Sequence, residues 1–143
     1  MRYTQAFFYK EFLAVKSTEF GVLAEDRVAA YLRKKGFYIA KRNYKSRYGE
    51  IDIIAENKDT VIFVEVKART EDYIVSPSEA VDKAKQRRII ATAKDYYVKS
   101  HCVLNPRFDV AMVIAFKDEE DIWKFELKYL KNAFSLEAGN GVF

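Results

Sequence analysis

Three charged residues interrupt two apolar segments of this chain, and their side chains suit metal-assisted chemistry on phosphates. Asp52 lies in the segment GEIDII, while Glu65 and Lys67 lie in the segment FVEVK. Carboxylates among Ile, Val and Phe lose hydration and therefore need a compensating partner. A divalent cation supplies one, and a small number of hard oxygen ligands suits Mg²⁺, which keeps several waters. Lys67 would offset the negative charge and hold or polarise an attacking water near a phosphate.

The turn between these two segments decides whether the charged side chains meet. A two-residue loop at positions 58–59 would place Asp52 opposite Glu65 and Glu50 opposite Lys67, so that all four share one face. The alternating apolar residues of both strands would then face a core: Ile51, Ile53, Val64 and Val66. A longer loop would break this register, which leaves a solvated set of charges as the structural alternative.

The apolar pattern around these segments predicts helices and strands in the order α-β-β-β-α-β-β. The helices run from Thr18 to Lys35 and from a capping box at Ser76–Glu79, or a later start at Asp82, to Lys99. Strands are predicted at 37–40, 49–56, 60–69, 107–116 and 122–130, the last with the alternation of a half-buried edge strand. This order indicates an α/β domain in which a central mixed β-sheet is flanked by helices.

Length, charge and residue counts restrict the classes of protein. The 143 residues make one domain, and a net charge of +4 permits a nucleic-acid partner without establishing one. A single cysteine excludes an intramolecular disulfide, and a single histidine, His101, is too few for a zinc site of Cys and His. A Ser-His-Asp site would need His101, which has no surrounding motif and is interpreted as a surface histidine at a helix end. We expect a cytoplasmic protein with no membrane partner, because no apolar run reaches the ~20 residues that span a bilayer.

Several segments of the chain together resemble the YraN-like family, whose members are predicted nucleases. The resemblance rests on Glu25 in the first helix, GEIDII, FVEVKAR at 63–69, RFDV at 107–110 and Asn-Ala-Phe at 132–134. The pattern is also similar to the wider restriction-endonuclease-like superfamily of PD-(D/E)xK enzymes, in particular archaeal Holliday-junction resolvases. It covers about Gly21 to Phe134, and Ile51 stands where the superfamily name has proline. The implied fold is restriction-endonuclease-like.

The start of the first predicted helix and the end of the resemblance set the extent of the domain. We assign residues 1–17 to an N-terminal extension, residues 18–134 to the nuclease-like domain and residues 135–143 to a C-terminal tail. The extension carries aromatic residues that would pack either on the same chain or on a partner subunit: Tyr3, Phe7, Phe8 and Phe12.

The resemblance also implies a role for each site residue. Asp52 and Glu65 would be the metal-binding carboxylates, with the backbone carbonyl of Val66 as a third oxygen. Lys67 would orient the nucleophilic water and stabilise charge developing on the phosphate. Glu25 would ligate a metal or a metal-bound water, and its alternative is a surface glutamate of the helix. The implied cofactor is Mg²⁺, with Mn²⁺ as a substitute.

Two further acidic residues are open to a structural interpretation. Glu50 would either contact the metal-binding residues without binding the metal itself or cap the start of its strand, and we favour the structural role. Asp109 interrupts an apolar strand and is expected to pair with Arg107, also as a structural element.

Basic residues near the acidic strands predict contacts with nucleic acid. Cations bind phosphates, and the interleaved Tyr44 and Tyr48 could stack on exposed bases. The predicted contacts are Lys41, Arg42, Lys45, Arg47, Arg69 and Lys85, with Lys83, Arg87 and Arg88 near Lys85 on its helix. A solvated charged surface is the structural alternative, and phosphate contacts carry no sequence specificity.

Together these features predict a Mg²⁺-dependent DNA endonuclease that hydrolyses phosphodiester bonds. By resemblance to junction resolvases, branched DNA such as Holliday junctions is the favoured substrate, with single-stranded DNA also compatible. A homodimer would supply two sites for symmetric cutting. Two alternatives stay open: a non-catalytic nucleic-acid-binding or adaptor module on a nuclease scaffold, and a nuclease for RNA or for free ends.

Overall fold

The computed structural model describes residues 2–5, 17–71 and 76–136, which form two helices and six strands. The helices are α1 (Ser17–Lys34) and α2 (Lys83–Ser100). The strands are β1 (Arg2–Gln5), β2 (Tyr38–Ser46), β3 (Gly49–Glu56), β4 (Thr60–Thr70), β5 (Asn105–Lys117) and β6 (Trp123–Phe134). Neither helix in this part of the chain is long and apolar enough to cross a membrane.

All six strands belong to one mixed sheet, in the spatial order β1-β6-β5-β4-β3-β2. β4 and β5 run parallel and are connected through α2, as a parallel pair requires, whereas the other neighbours are antiparallel. From α1 onward the elements follow the order α-β-β-β-α-β-β. The predicted α/β architecture, a mixed sheet flanked by helices, is therefore confirmed.

The two helices cover opposite faces of the sheet. α1 packs Val28 and Leu32 into one core, and α2 packs Ile89 and Ile90 into the other. Successive residues of a strand point to opposite faces. β4 accordingly sends Ile62 and Val64 toward α1, and Val61 and Phe63 toward α2.

The observed end of α1 and start of α2 can be compared with the predicted ones. Gly36, with φ of 91°, ends α1, and the N–H of Phe37 donates to the Leu32 carbonyl at 3.0 Å. α2 starts at the later of the two predicted positions, because the Asp82 side chain accepts from the Lys85 N–H at 2.7 Å. The predicted capping box at Ser76–Glu79 is wrong, since those residues form a separate turn before Asp82 adopts an extended conformation.

Two strand predictions also need correction. β2 continues to Ser46, because the polar residues after Ala40 pair with β3 instead of forming a loop. β6 is not an edge strand along its first residues, since Arg2–Gln5 pair with Trp123–Glu126. β1 includes Tyr3 of the predicted extension, whereas Phe7, Phe8 and Phe12 lie outside the described residues. His101 caps the C-terminus of α2 and is exposed, as predicted.

Candidate active site

The hairpin between β3 and β4 has the two-residue loop that the sequence predicts. The N–H of Asn57 donates to the Thr60 carbonyl at 3.0 Å, which leaves positions 58–59 as the loop. The Asn57 side-chain oxygen accepts from the N–H groups of Asp59 and Thr60 at 2.9 and 2.8 Å, so the turn is stabilised locally. The pairs from Glu56–Val61 to Ile53–Val64 follow the predicted register.

The hairpin opens just before the charged residues. Its ladder ends at the pair Ile53–Val64, although β3 continues beside β2 and β4 continues beside β5. The gap between residues 50–52 of β3 and residues 65–67 of β4 is called the fork below. Within it the Val66 N–H donates to the Asp52 carboxylate (Oδ2) at 2.7 Å, so a side chain accepts the bond that a ladder carbonyl would otherwise take. In an extended strand the N–H and carbonyl of one residue point to the same neighbour, so the Val66 carbonyl also points into the fork.

The alternation of side chains between the two faces of the sheet is interrupted in β3 at Asp52. Ile53 lies in the core under α1, whereas Ile51 lies in the core under α2, although residues two apart normally share a face. The prediction that Ile51 faces the same core as Ile53 is therefore wrong. Asp52 lies at the reversal, where its carboxylate reaches across the fork to β4.

The same alternation is interrupted in β2, at the height of Asp52. Arg42 reaches residues of α1, while Tyr44 reaches Asp95 of α2. Between them Asn43 has a positive φ of 52°, and the β2–β3 ladder pairs the residues on either side but skips Asn43 and Asp52. Asn43 was not predicted as a site residue; the only sequence signal was that asparagine tolerates this conformation better than most residues.

Two lysine side chains at the fork contact the carboxylate of Glu65. Its side chain is 7% exposed, and the ammonium groups of Lys67 and Lys85 lie 3.5 and 3.8 Å from the same oxygen, Oε1. The first lysine comes from β4 itself and the second from the first turn of α2. The structure therefore brings Glu65 and Lys67 together and places Lys85, which the resemblance implied could reach the site, at the same carboxylate.

Asp52 carries the strongest electrostatic signature of the site. Burial, and next the charge of Glu65, raise its pKa from 3.8 to about 7, despite the opposing effect of the Val66 N–H. The charge of Glu65 therefore makes ionisation of the Asp52 carboxyl costly. A bound cation would remove that cost.

Glu25 approaches the fork from α1. Its oxygen Oε1 accepts from the Asn43 side-chain amide at 3.2 Å and lies 3.5 Å from the Arg42 guanidinium. Burial, and next the charge of Asp52, raise the pKa of Glu25. This third carboxylate is therefore within electrostatic reach of Asp52.

The donor set fits magnesium better than a metal held by protein ligands alone. In the described ranges, side chains of Asp, Glu, His and Cys do not gather in threes close enough to hold a metal ion. Mg²⁺ is usually bound through one or two carboxylates together with waters and substrate phosphates. Asp52, Glu65 and the Val66 carbonyl supply hard oxygens of that kind, and they fit the ion on these terms.

The other two acidic residues behave differently from the site carboxylates. Glu50 pairs with Lys45 of β2, so the expected position of Glu50 opposite Lys67 is wrong because the hairpin has already opened. Asp109 is fully buried and accepts from the Arg107 guanidinium, the Tyr129 hydroxyl at 2.6 Å and the Asn132 N–H at 2.8 Å. The predicted pairing of Asp109 with Arg107 is confirmed.

Some of the residues predicted to contact nucleic acid are engaged with the protein. Arg42 lies 2.8 Å from the Asp26 carboxylate, and Arg69 donates to the Ala68 carbonyl at 2.8 Å. Tyr44 is half-buried, donates to Asp95 at 2.5 Å and packs edge-on against an α2 tyrosine. The expectation that Tyr44 stacks on bases is therefore wrong, because its ring belongs to the interface between β2 and α2.

Other predicted contacts are free to meet a polyanion. Lys41, Lys45 and Arg47 are exposed on β2 or just after it, and Tyr48 at the turn keeps 44% of its surface exposed. The Arg47 guanidinium lies 4.8 Å from the centre of the Tyr48 ring and donates to its hydroxyl at 2.7 Å. The turn between β2 and β3 thus presents a cation and an aromatic ring together.

Comparison with known proteins gives a consistent result. Residues 24–113, a range that contains Glu25, the fork and Lys85, match the family described as "Uncharacterised protein family UPF0102". A UPF0102 protein of Clostridium acetobutylicum is 42% identical over 118 residues, which cover 81% of this chain and 93% of the relative. Another, from Desulforapulum autotrophicum, is 42% identical over 118 residues, covering 82% and 93%. A third, from Dictyoglomus thermophilum, is 40% identical over 121 residues, covering 84% of this chain and 100% of the relative.

Proposed function

Because the chain belongs to the uncharacterised protein family UPF0102, whose description states no activity, we propose its function from the site itself. We infer that it is a Mg²⁺-dependent endonuclease that hydrolyses phosphodiester bonds of DNA. The observation that carries this proposal is the fork, where the Asp52 carboxylate accepts from the N–H of Val66, the residue after Glu65, and two lysines converge on Glu65. A cytoplasmic location, where the single cysteine stays reduced, is part of the proposal.

The chain would hold the ion through Asp52, Glu65 and the Val66 carbonyl, with Glu25 nearby on α1. When bound, the ion lowers the pKa of a water and neutralises charge on the phosphate oxygens. Within the fork the Asp52 carboxylate accepts from the Val66 N–H, which occupies the donor that a β3 carbonyl would otherwise pair with. Mn²⁺ prefers the same oxygen ligands and would substitute.

The two lysines act on the phosphate side of the site. Lys67 and Lys85 reach Glu65 from different elements, so both ammonium groups lie at one edge of the fork. There Lys67 can donate hydrogen bonds to the attacking water or to a phosphate oxygen, and Lys85 can bind a second phosphate oxygen. No histidine or covalent nucleophile is needed for in-line hydrolysis.

Exposed cations at the end of β2 and on α2 favour DNA as the partner. Exposed Lys45 and Arg47 lie at one end of β2, and Lys83, Arg87 and Arg88 are exposed on α2. Such cations bind the phosphate backbone without reading its sequence. The preference for branched DNA, and a homodimer with two sites, rest on the resemblance to junction resolvases.

A cleavage assay with matched variants tests the proposal. Purified protein is incubated with labelled linear, flap, single-stranded and four-way-junction DNA in Mg²⁺, Mn²⁺ or EDTA. We expect metal-dependent cleavage that Asp52→Asn and Lys67→Ala abolish, while Asp59→Asn, an exposed change in the loop of the same hairpin, leaves it intact. DNA binding without cleavage in either metal would replace the enzyme with a non-catalytic adaptor, and absence of binding at low salt would refute both.

A further inference from the structure

We propose that Asn43 is a positioning residue that holds the Glu25 carboxylate toward the fork, and that its left-handed backbone is what brings it there. This inference rests on the proposed function of the fork. Asn43 lies in β2 at the height of Asp52, between the ladder pairs Arg42–Ile53 and Tyr44–Ile51.

The backbone of Asn43 is the first observation. A positive φ is uncommon for residues other than glycine, and such conformations tend to persist where the surroundings demand them. The φ of Asn43 is 52°, yet Arg42 and Tyr44 on either side keep their pairing with β3. A left-handed residue therefore lies within a continuing strand, at the height of Asp52.

The second observation is that two consecutive side chains of β2 reach the same carboxylate. In a regular strand, Arg42 and Asn43 would point to opposite faces of the sheet. Here the Asn43 amide lies 3.2 Å and the Arg42 guanidinium 3.5 Å from Oε1 of Glu25. The reversal at Asn43 makes this convergence geometrically feasible.

The two partners of Glu25 differ in what they do to its charge. Arg42 has a closer partner in Asp26, at 2.8 Å, and a guanidinium would compete with a cation for Glu25. The neutral amide of Asn43 holds the carboxylate without cancelling its charge. Both contacts are made to Oε1, so Oε2 is the oxygen that Glu25 can turn toward a cation or a water at the fork.

A double-mutant cycle with Mn²⁺ as the probe tests this role without DNA or turnover. Calorimetry measures Mn²⁺ binding to the unaltered protein, to Asn43→Gly, to Glu25→Gln and to the double variant. Glycine accepts the positive φ, so Asn43→Gly removes the amide and keeps the backbone. The control is Asn132→Gly, because Asn132 is a second left-handed asparagine, with φ of 53°, in β6 beside the buried Asp109.

We expect Asn43→Gly to weaken Mn²⁺ binding about tenfold, as loss of a ligand-orienting partner does elsewhere. The same change in the Glu25→Gln background should have no further effect, and Asn132→Gly should bind as the unaltered protein does. Urea unfolding in EDTA confirms that each variant is folded.

Unaltered Mn²⁺ binding by Asn43→Gly would overturn the assignment, as would an equal loss in the Glu25→Gln background. An equal loss in Asn132→Gly would show that the effect is general to left-handed asparagines. If the unaltered protein binds no Mn²⁺, the proposed function of the fork fails first, and the role of Asn43 fails with it.

Discussion

The N–H of Val66 donates to the carboxylate of Asp52 across the fork, at 2.7 Å. This bond joins β3 and β4 at a height where their backbones no longer pair. This carboxylate is half-buried and feels the charge of Glu65, so its ionisation is costly until a cation binds.

Replacing Asp52 should therefore stabilise the metal-free protein while removing activity. Because the folded pKa of Asp52, about 7, lies above its ordinary 3.8, the protonated carboxyl stabilises the folded protein. This stabilisation is complete below pH 3.8 and is lost as the pH rises through about 7. Asp52→Asn removes this loss, and we expect it to raise the free energy of unfolding at pH 8 by about 1–2 kcal/mol. Urea unfolding in EDTA at pH 5 and pH 8 measures the difference, and parallel pH dependences in the two proteins would contradict it.

Metal affinity should follow the ionisation of the same carboxylate. A ligand must lose its proton before it binds, and Asp52 does so with a pKa of about 7 in the metal-free protein. We expect Mn²⁺ affinity to rise by up to about tenfold per pH unit below that value and to level off above it. Calorimetry between pH 5.5 and 8 checks this, and an affinity independent of pH would argue against Asp52 as a ligand.

Lys85 should have opposite effects on the cation and on DNA. Its ammonium lies 3.8 Å from Glu65 and competes with a cation for that charge. Lys85→Ala should tighten Mn²⁺ binding to the DNA-free protein but weaken DNA binding and lower the slope of log affinity against log salt by about one. Lys99→Ala, a change of an exposed lysine at the other end of α2, is the control. Weaker Mn²⁺ binding in Lys85→Ala would refute the competition.

Substitution of the two tyrosines near the end of β2 should affect different quantities, DNA binding for Tyr48 and stability for Tyr44. Tyr48 is exposed beside Arg47, so Tyr48→Ala should weaken binding of single-stranded DNA by about 1 kcal/mol without changing stability. Tyr44→Phe removes the bond to Asp95 and should lower the free energy of unfolding by about 1 kcal/mol without changing DNA binding. Fluorescence anisotropy and urea unfolding measure the two quantities, and equal effects of both variants on binding would contradict the assignment.

Asp109 should prove structural. It is fully buried, and Arg107, Tyr129 and the Asn132 N–H all donate to it. Asp109→Asn leaves the guanidinium without its counter-charge, so we expect a loss of about 3 kcal/mol in unfolding free energy. Cleavage per folded molecule should not change. A stable but inactive variant would instead place Asp109 in the catalytic machinery.

Local chemistry was sufficient for several features of this fold. Asn57 forms its turn with residues two and three positions away, and the β-branched runs on both sides make the hairpin register readable from sequence alone. α1 ends at Gly36 because glycine readily adopts the positive φ found there. Asp52, Glu65 and Lys67 could be named in advance from their residue types on the two strands, but the predicted pairing of Asp52 with Glu65 is wrong because the ladder ends at Ile53–Val64.

The sequence by itself therefore determined the order of elements, the hairpin and the residue types that meet in it. The tertiary structure alone decided that the hairpin opens after the pair Ile53–Val64, where β3 continues beside β2 and β4 continues beside β5. It also decided the reversal at Asn43 and the contacts of Lys85 with Glu65 and of Glu25 with Asn43, which join helices distant in the chain to the site. Turns are set by bonds between near neighbours, whereas the fork depends on which distant strands and helices bury each face. A local pattern of apolar residues does not encode that competition.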